Sequence, residues 1–250
     1  MLLGCAGAAL AAWPATAAPL LAEADFRGGL NATEFGIEPG LLDRGAKAFN
    51  TLLQQASSRN MPVFLPPGTY ELANIDLPAN VRLQGVPGAT RLLYSGEGRF
   101  LTGRGSKRVS LSGLTIDGAN RWIADDQQAL LSLLDVPDLL IDNCEILGSG
   151  KVGVWAENCS GRIRDNIISG AAESAIYAVD NRDFEIRGNR VSDCGNGGIL
   201  VHRWKKGMDG TIVSGNRIGR IAAKSGGTGE YGNGINVFRA DDVLISDNHV

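Results

Sequence analysis

Six short segments of this chain carry one pattern in one order, and that repetition constrains the fold more than any other feature. They are Leu111-Ser-Gly-Leu114-Thr-Ile116, Ile141-Asp-Asn-Cys144-Glu-Ile146, Ile163-Arg-Asp-Asn166-Ile-Ile168, Ile186-Arg-Gly-Asn189-Arg-Val191, Val213-Ser-Gly-Asn216-Arg-Ile218 and Ile245-Ser-Asp-Asn248-His-Val250. Each runs aliphatic, two polar or glycine positions, a turn residue, one variable residue, then aliphatic again. The turn residue falls at 114, 144, 166, 189, 216 and 248, so successive intervals are 30, 22, 23, 27 and 32 residues. A second element recurs in phase. Gly153-Val-Trp-Ala156, Ala175-Ile-Tyr-Ala178, Gly198-Ile-Leu-Val201 and Gly234-Ile-Asn-Val237 read small, inward, outward, inward, the alternation of a strand with one buried face. Val154, Ile176 and Ile199 each lie 10 residues past their turn residue, and Ile235 lies 19 past because of an insertion.

A period near 22 residues, built of short strands with no repeating helix, excludes most repeat architectures. The Leu-x-x-Leu-x-Leu frame of leucine-rich repeats is absent, and propeller blades and helical repeats need longer periods. A coil of about three short strands joined by tight turns fits a parallel β-helix, each strand pairing with its counterpart one coil away at about 4.8 Å. Asn166, Asn189, Asn216 and Asn248 then stack as a ladder, with Cys144 in the same slot one coil earlier. We expect each ladder asparagine to hold the left-handed backbone of its turn. Glycine supports this: 34 of 250 residues is about 14%, roughly twice the usual share, while Pro is ordinary at 9. Gly113, Gly188 and Gly215, with Gly153, Gly198 and Gly234, recur in register and mark corners rather than a linker. Upstream, the spacing of Leu42, Ala46, Phe49, Leu53 and Ala56 predicts one amphipathic helix over 41–58, with Asp43 as N-cap. Short β-rich runs follow at 61–70, 81–83, 91–94, 109–111 and 114–116.

Residues 1–22 carry no charge, and their apolar stretch ending in Ala15-Thr-Ala-Ala18 reads as a secretion signal with a small-residue cleavage site. No basic residue follows Met1, so we expect the natural start to lie upstream. An uncleaved membrane anchor is the competing reading. Leu2-Leu-Gly-Cys5 has the look of a lipoprotein box but sits too close to Met1 to follow an apolar region. The chain divides into a signal at 1–22, a cap helix and first coils at 23–105, and repeat coils at 106–250. Val250 falls inside a repeat strand, so further coils are expected beyond it. Outside the signal, Cys144, Cys159 and Cys194 are odd in number and scattered, as for buried core thiols rather than a disulfide framework or metal site.

Residues 43–92, with the helix, Val63-Phe-Leu-Pro-Pro-Gly-Thr-Tyr70 and Val81-Arg-Leu-Gln-Gly85, resemble the N-terminal cap and first coils of pectate-lyase-like right-handed β-helices. Three segments are similar, more closely, to the twin-arginine-translocated repeat proteins of bacteria. These are Gly85-Val-Pro-Gly-Ala-Thr-Arg-Leu92, Asp193-Cys-Gly-Asn-Gly-Gly-Ile-Leu-Val-His-Arg-Trp204 and Gly232-Asn-Gly-Ile-Asn-Val-Phe-Arg-Ala240. The resemblance runs over nearly all of the chain after the signal. It implies an all-β, right-handed parallel β-helix (a pectin-lyase-like solenoid) with an N-terminal capping helix, periplasmic or secreted in a bacterium. That family has no assigned activity, so it implies little about chemistry. The paired arginines that name it are absent before Leu2.

Charge narrows the partners. Lys and Arg number 24 and Asp and Glu 27, so the net charge is 24 − 27 = −3, which argues against nucleic acid. The glycine-rich run at 226–234 lacks the Lys-Ser/Thr of a phosphate loop and reads as an inserted loop, not a nucleotide site. The catalytic signatures of the better-known β-helix enzymes are missing: spaced Asp with Gly-His-Gly, Trp-x-Asp-His, and Asp-Pro-His. No grouping calls for a metal or other cofactor, and bound Ca²⁺ stays open with no motif behind it.

The second strand is more informative. Its alternation turns Trp155 and Glu157, Tyr177 and Val179, Leu200 and His202, and Asn236 and Phe238 outward, with Asn158, Asp180, Arg203 and Arg239 next in line. Trp155, Tyr177, Trp204, Asn236 and Arg239 are the expected substrate-binding residues, because rings stack on sugars and polar groups hold hydroxyls or uronates. Glu157, Asp180, His202 and Arg203 are the catalytic candidates. Carboxyls on adjacent coils match the glycosidase separations of about 5–5.5 Å or about 6.5–9.5 Å, and His202, or Arg203 beside Asp180, suits β-elimination from a uronic acid. An ordinary Asp180–Arg203 surface pair is the plainer alternative. The basic, aromatic segment His202-Arg-Trp-Lys-Lys206 reads as an anionic-glycan contact, and the insertion after Asn216 as a wall for this face. We therefore expect a monomer that binds a polysaccharide and acts on it as a lyase or glycoside hydrolase. The alternative is a non-catalytic envelope repeat protein binding glycan or protein, touching membrane only through an uncleaved signal.

Overall fold

The computed structural model describes residues 29–40, 45–229 and 231–250. The stretch 1–22, expected to be an export signal, lies outside the described residues, as do Leu42 and Asp43 of the expected capping helix.

Within each coil the chain passes through three parallel sheets, here A, B and C, of nine, seven and seven strands. One coil is Leu139–Asp142 in sheet A, Glu145–Leu147 in B and Val152–Glu157 in C. Each strand pairs residue for residue with its counterparts on the coils before and after. Like therefore stacks on like. Leu111, Ile141, Ile163, Ile186 and Val213 form one inward column in sheet A, all fully buried. Ile116, Ile146, Ile168, Val191 and Ile218 form another in sheet B. Each such side chain contributes about 1.5–3 kcal/mol by burial, so the interior is one continuous apolar rod. The helix Gly45–Ser58 buries Phe49, Leu52, Leu53 and Ala56 against strands Gly68–Leu72, Ile75–Asp76 and Val81–Gln84, which closes one end of that rod.

The asparagine ladder forms at the corner between sheets A and B. Nδ2 of Asn166, Asn189 and Asn216 donates to Oδ1 of the next asparagine along the axis at 2.9, 3.0 and 2.9 Å. The same Oδ1 atoms accept the backbone N–H of the preceding coil's ladder residue, and Asn166 does so for Cys144 at 2.9 Å. The left-handed backbone falls one residue earlier than expected, on Gly113, Asn143, Asp165, Gly188, Gly215 and Asp247, with φ from 50 to 65°. The physical reason is direct. The chain must turn before the amide can point inward, so the turning residue and the bonding residue are neighbours rather than one residue.

A shorter ladder, missed in the sequence, sits between sheets C and A. Asn181 Oδ1 accepts from Cys159 N at 2.7 Å, and left-handed Asn158 and Asp180 precede the two. Cys144, Cys159 and Cys194 are buried and unpaired, and burial pushes the Cys144 thiol up to about 12 and the other two to about 11. They are structural, and their thiolates are scarce at neutral pH. Gly198 serves close approach rather than φ: a Cβ there would lie 2.2 Å from the Gly234 carbonyl oxygen of the next coil.

Candidate functional site

Two departures from the repeat shape the exterior of sheet C. Strand Gly197–Met208 pairs with Asn233–Asp241, but the register jumps from His202↔Phe238 to Gly207↔Ala240. The first strand therefore carries three extra residues across this bulge, since 207 − 202 is 5 and 240 − 238 is 2. The bulge sends Trp204 back along the axis, where its Nε1 donates to Glu157 Oε1 at 3.0 Å. Glu157 is two coils away, in the column Glu157, Val179, His202. The second departure is the insertion between Arg217–Gly219 and Asn233–Asp241. It brings Thr228, Gly229 and Tyr231 to the sheet, where they line a groove of about 350 Å³ with His202, Asn236, Val237 and Phe238. The insertion walls this face, as its length suggests.

The rings follow the axis. Trp155 and Tyr177 are stacked, with centroids 4.6 Å apart and planes 12° apart. Tyr177 meets His202 edge-on at 4.9 Å, and His202 meets Phe238 at 5.7 Å. One face of Trp155 and both sides of Tyr177 are thus occupied within the column, while Trp204 and Phe238 are 54% and 51% exposed. Three positions read as outward are buried: Val179 at 0%, Leu200 at 1% and His202 at 5%. Val179 is flanked by Glu157 and His202, and Leu200 by Tyr177 and Asn236, so neighbouring coils cover what the alternation turns outward. The inserted loop contributes to the burial of His202.

Hydrogen bonding divides the four catalytic candidates into two groups. His202 lies in the groove. Its Nε2 is 2.7 Å from Asn236 Oδ1, which only accepts, so Nε2 carries a proton, and Nδ1 lies within hydrogen-bond distance of the Tyr177 hydroxyl at 2.8 Å. Glu157, Asp180 and Arg203 gather at the corner around Trp204. Glu157 accepts the indole N–H groups of both Trp155 and Trp204, each at 3.0 Å. Asp180 Oδ1 accepts Trp204 N at 3.3 Å and lies 3.5 Å from Arg203 Nε. Arg239 donates to the Trp204 carbonyl at 2.8 Å and places its guanidinium 4.8 Å from the Phe238 ring centre.

Asp209 joins the corner group unannounced by the sequence, where Asp-Gly-Thr reads only as a turn. Its Oδ1 accepts from Thr211 N at 3.2 Å and from the Thr211 hydroxyl, whereas its buried Oδ2 has no hydrogen-bond partner. Arg203 Nη1 lies 3.9 Å from Oδ2. Burial holds the Asp209 carboxyl above the usual range, with nearby Asp180 adding to the rise and the Thr211 bonds and Arg203 opposing it. Among the described residues, no group of three or more acidic, histidine or cysteine side chains is placed to hold a metal ion.

A family profile described as the right handed beta helix region matches residues 94–218, half of the chain. Among solved structures, the chain is similar to ORF18 of Geobacillus virus E2, with TM-score 0.58 and 15% identity over 86% of this chain and 50% of that one. It is similar also to the A-module of the mannuronan C-5 epimerase AlgE4 of Azotobacter vinelandii, with TM-score 0.55 and 17% identity over 88% and 76%. The catalytic unit of a GH87 α-1,3-glucanase from Streptomyces thermodiastaticus gives TM-score 0.54 and 16% identity over 88% and 47%. This chain spans about half the length of the first and third. At these identities the likeness is one of fold. No match is found among curated protein sequences.

Proposed function

The chain belongs to the right-handed β-helix family, and from that premise we propose that it is an exported protein that binds a polysaccharide in the walled groove on sheet C. The groove itself carries this reading. Its described lining combines imidazole, amide, hydroxyl and ring with no carboxylate, Lys or Arg, a composition suited to hydroxyl-rich ligands. Trp204 and Phe238 add exposed rings beside it, and Trp155, Tyr177, Asn236 and Arg239 frame them. Two of the structures similar in fold are, by name, a mannuronan epimerase and an α-1,3-glucanase. Export to the periplasm or outside the cell rests on the apolar stretch 1–22 and on the likeness to twin-arginine-translocated repeat proteins. The protein acts as a monomer.

The Tyr177–His202–Asn236 chain favours a second, catalytic reading. A tyrosine hydroxyl hydrogen-bonded to an imidazole can pass a proton, the step that elimination requires. Glu157 and Asp180 are both engaged with Trp204, which favours lyase chemistry over hydrolysis by a carboxyl pair.

The test is a panel of neutral and acidic bacterial and plant glycans, scored for binding, for absorbance of unsaturated products and for new reducing ends. Retention on at least one glycan, weakened by His202→Ala, is the expected result. Binding without product selects the non-catalytic form. No retention on any glycan overturns the proposal.

A further inference from the structure

Two insertions leave the coil at the corner between sheets B and C. One joins Thr115–Asp117 to Ala129–Leu134, and the other, between Arg217–Gly219 and Asn233–Asp241, walls the sheet C groove. The coils between them turn that corner in four residues each, 148–151, 170–173 and 193–196. The last residues of these corners, Lys151, Glu173 and Asn196, stand in register, since Glu173 N donates to the Lys151 carbonyl and Asn196 N to the Glu173 carbonyl. The two outer members reach into the insertions beside them. Lys151 Nζ donates to the carbonyls of Ala124, Asp125 and Gln127 at 2.8, 3.3 and 2.6 Å. Asn196, 3% exposed, accepts Ser225 N on Oδ1 at 2.8 Å, and its Nδ2 donates to Ser225 Oγ at 2.9 Å and to Glu173 Oε2. Its carbonyl accepts Gly232 N at 2.6 Å, so one residue holds both limbs of the wall.

The wall needs such a hold. Residues 222–229 are exposed, so little apolar burial fixes them. The tip rests on the Gly229 carbonyl, which accepts from Nδ2 of Asn233 and of Asn236 at 2.9 and 3.4 Å in contact with solvent. Water competes for those bonds but far less for bonds made by a buried amide. We propose that Asn196 is the positioning residue of the sheet C groove: its side chain fixes the wall that covers His202, and with it the width of the groove. The inference rests on the reading of that groove as the binding site, and it adds a residue that is not among the groove's lining.

Asn196→Ala takes away side-chain bonds only. The groups it strands, on Ser225 and Glu173, are exposed and turn to water, so the rod itself stays folded. Hydrogen exchange on the full chain without ligand gives the test, read at backbone amides and at the His202 ring N–H. Expected in Asn196→Ala is about tenfold faster exchange at Ser225, Tyr231 and the His202 ring, with Asn166, Asn189 and Asn216 unchanged. Asn196→Asp/Glu173→Gln reverses donor and acceptor between the corner residues and keeps an acceptor for Ser225, so it is expected to exchange as the parent does. A glycan that His202→Ala releases is expected to bind Asn196→Ala about tenfold more weakly than the parent. Four outcomes overturn the proposal: unchanged exchange at Ser225 and His202, ladder amides that speed up equally, a double variant as loose as Asn196→Ala, or parent affinity for that glycan in Asn196→Ala. A parent that binds no glycan defeats the groove reading alone, and the exchange rates still decide whether Asn196 holds the wall.

Discussion

The corner between sheets A and B and the exterior of sheet C belong to the same coils, yet they obey different rules. At the corner successive coils repeat one another: a left-handed residue, then an inward side chain, which from Asn166 to Asn248 is an asparagine bonded along the axis. On sheet C the repeat is broken twice, by a three-residue bulge and by an inserted loop, and the groove lies where it breaks. Regularity holds the rod together. Irregularity makes a concave place on the exterior of sheet C, and it does so without disturbing the inward columns, because extra residues are accommodated on the outside.

The sharpest test of that contrast is Asn189→Ala. Asn189 donates to the Ile163 carbonyl at 2.9 Å and links Asn166 to Asn216, so its loss strands several buried polar groups. The expected loss in chemical denaturation is about 3 kcal/mol or more. Trp204→Ala attacks the irregular region instead. Glycan affinity in the sheet C groove is expected to fall about tenfold, or about 1.4 kcal/mol, while the denaturation midpoint stays close to the parent. Equal destabilisation by the two variants would break the comparison.

A smaller effect sharpens it. The folded Asp209 binds its proton more tightly than the unfolded chain does, because burial raises its pKa above 3.8. That contribution is fully present below the unfolded value and is lost as pH rises through the folded one. Asp209→Asn keeps an acceptor for Thr211 and removes the buried charge. Its stability is therefore expected to vary less from about pH 4 upward, as read from melting temperatures across pH. A parallel decline in parent and variant would show that Asp209 does not carry the dependence.

The corner was legible because stacking coils demands the same residue at the same step, so Asn166, Asn189, Asn216 and Asn248 announce themselves. The displaced left-handed position was not, because Asn, Asp and Gly all occupy both slots and composition does not separate turning from bonding. Periodicity also pointed to the right strand for the candidate site, with Trp155 and Tyr177 on one column and Glu157 and His202 on the next. It overestimated exposure at Val179 and Leu200, because alternation says which way a side chain points and not what neighbouring coils place over it. Asp209 was invisible, since an Asp-Gly turn looks the same whether solvated or buried.

By itself, then, the sequence determined the solenoid, its corners and the identity of its inward columns, because those follow from short-range periodicity repeated at each coil. Only the tertiary structure decided that Trp204 reaches back two coils to Glu157 and that His202 sits between Tyr177 and Asn236. These contacts join residues 47, 25 and 34 positions apart. They depend on where a bulge and an insertion fall relative to the register, a quantity that no local pattern encodes.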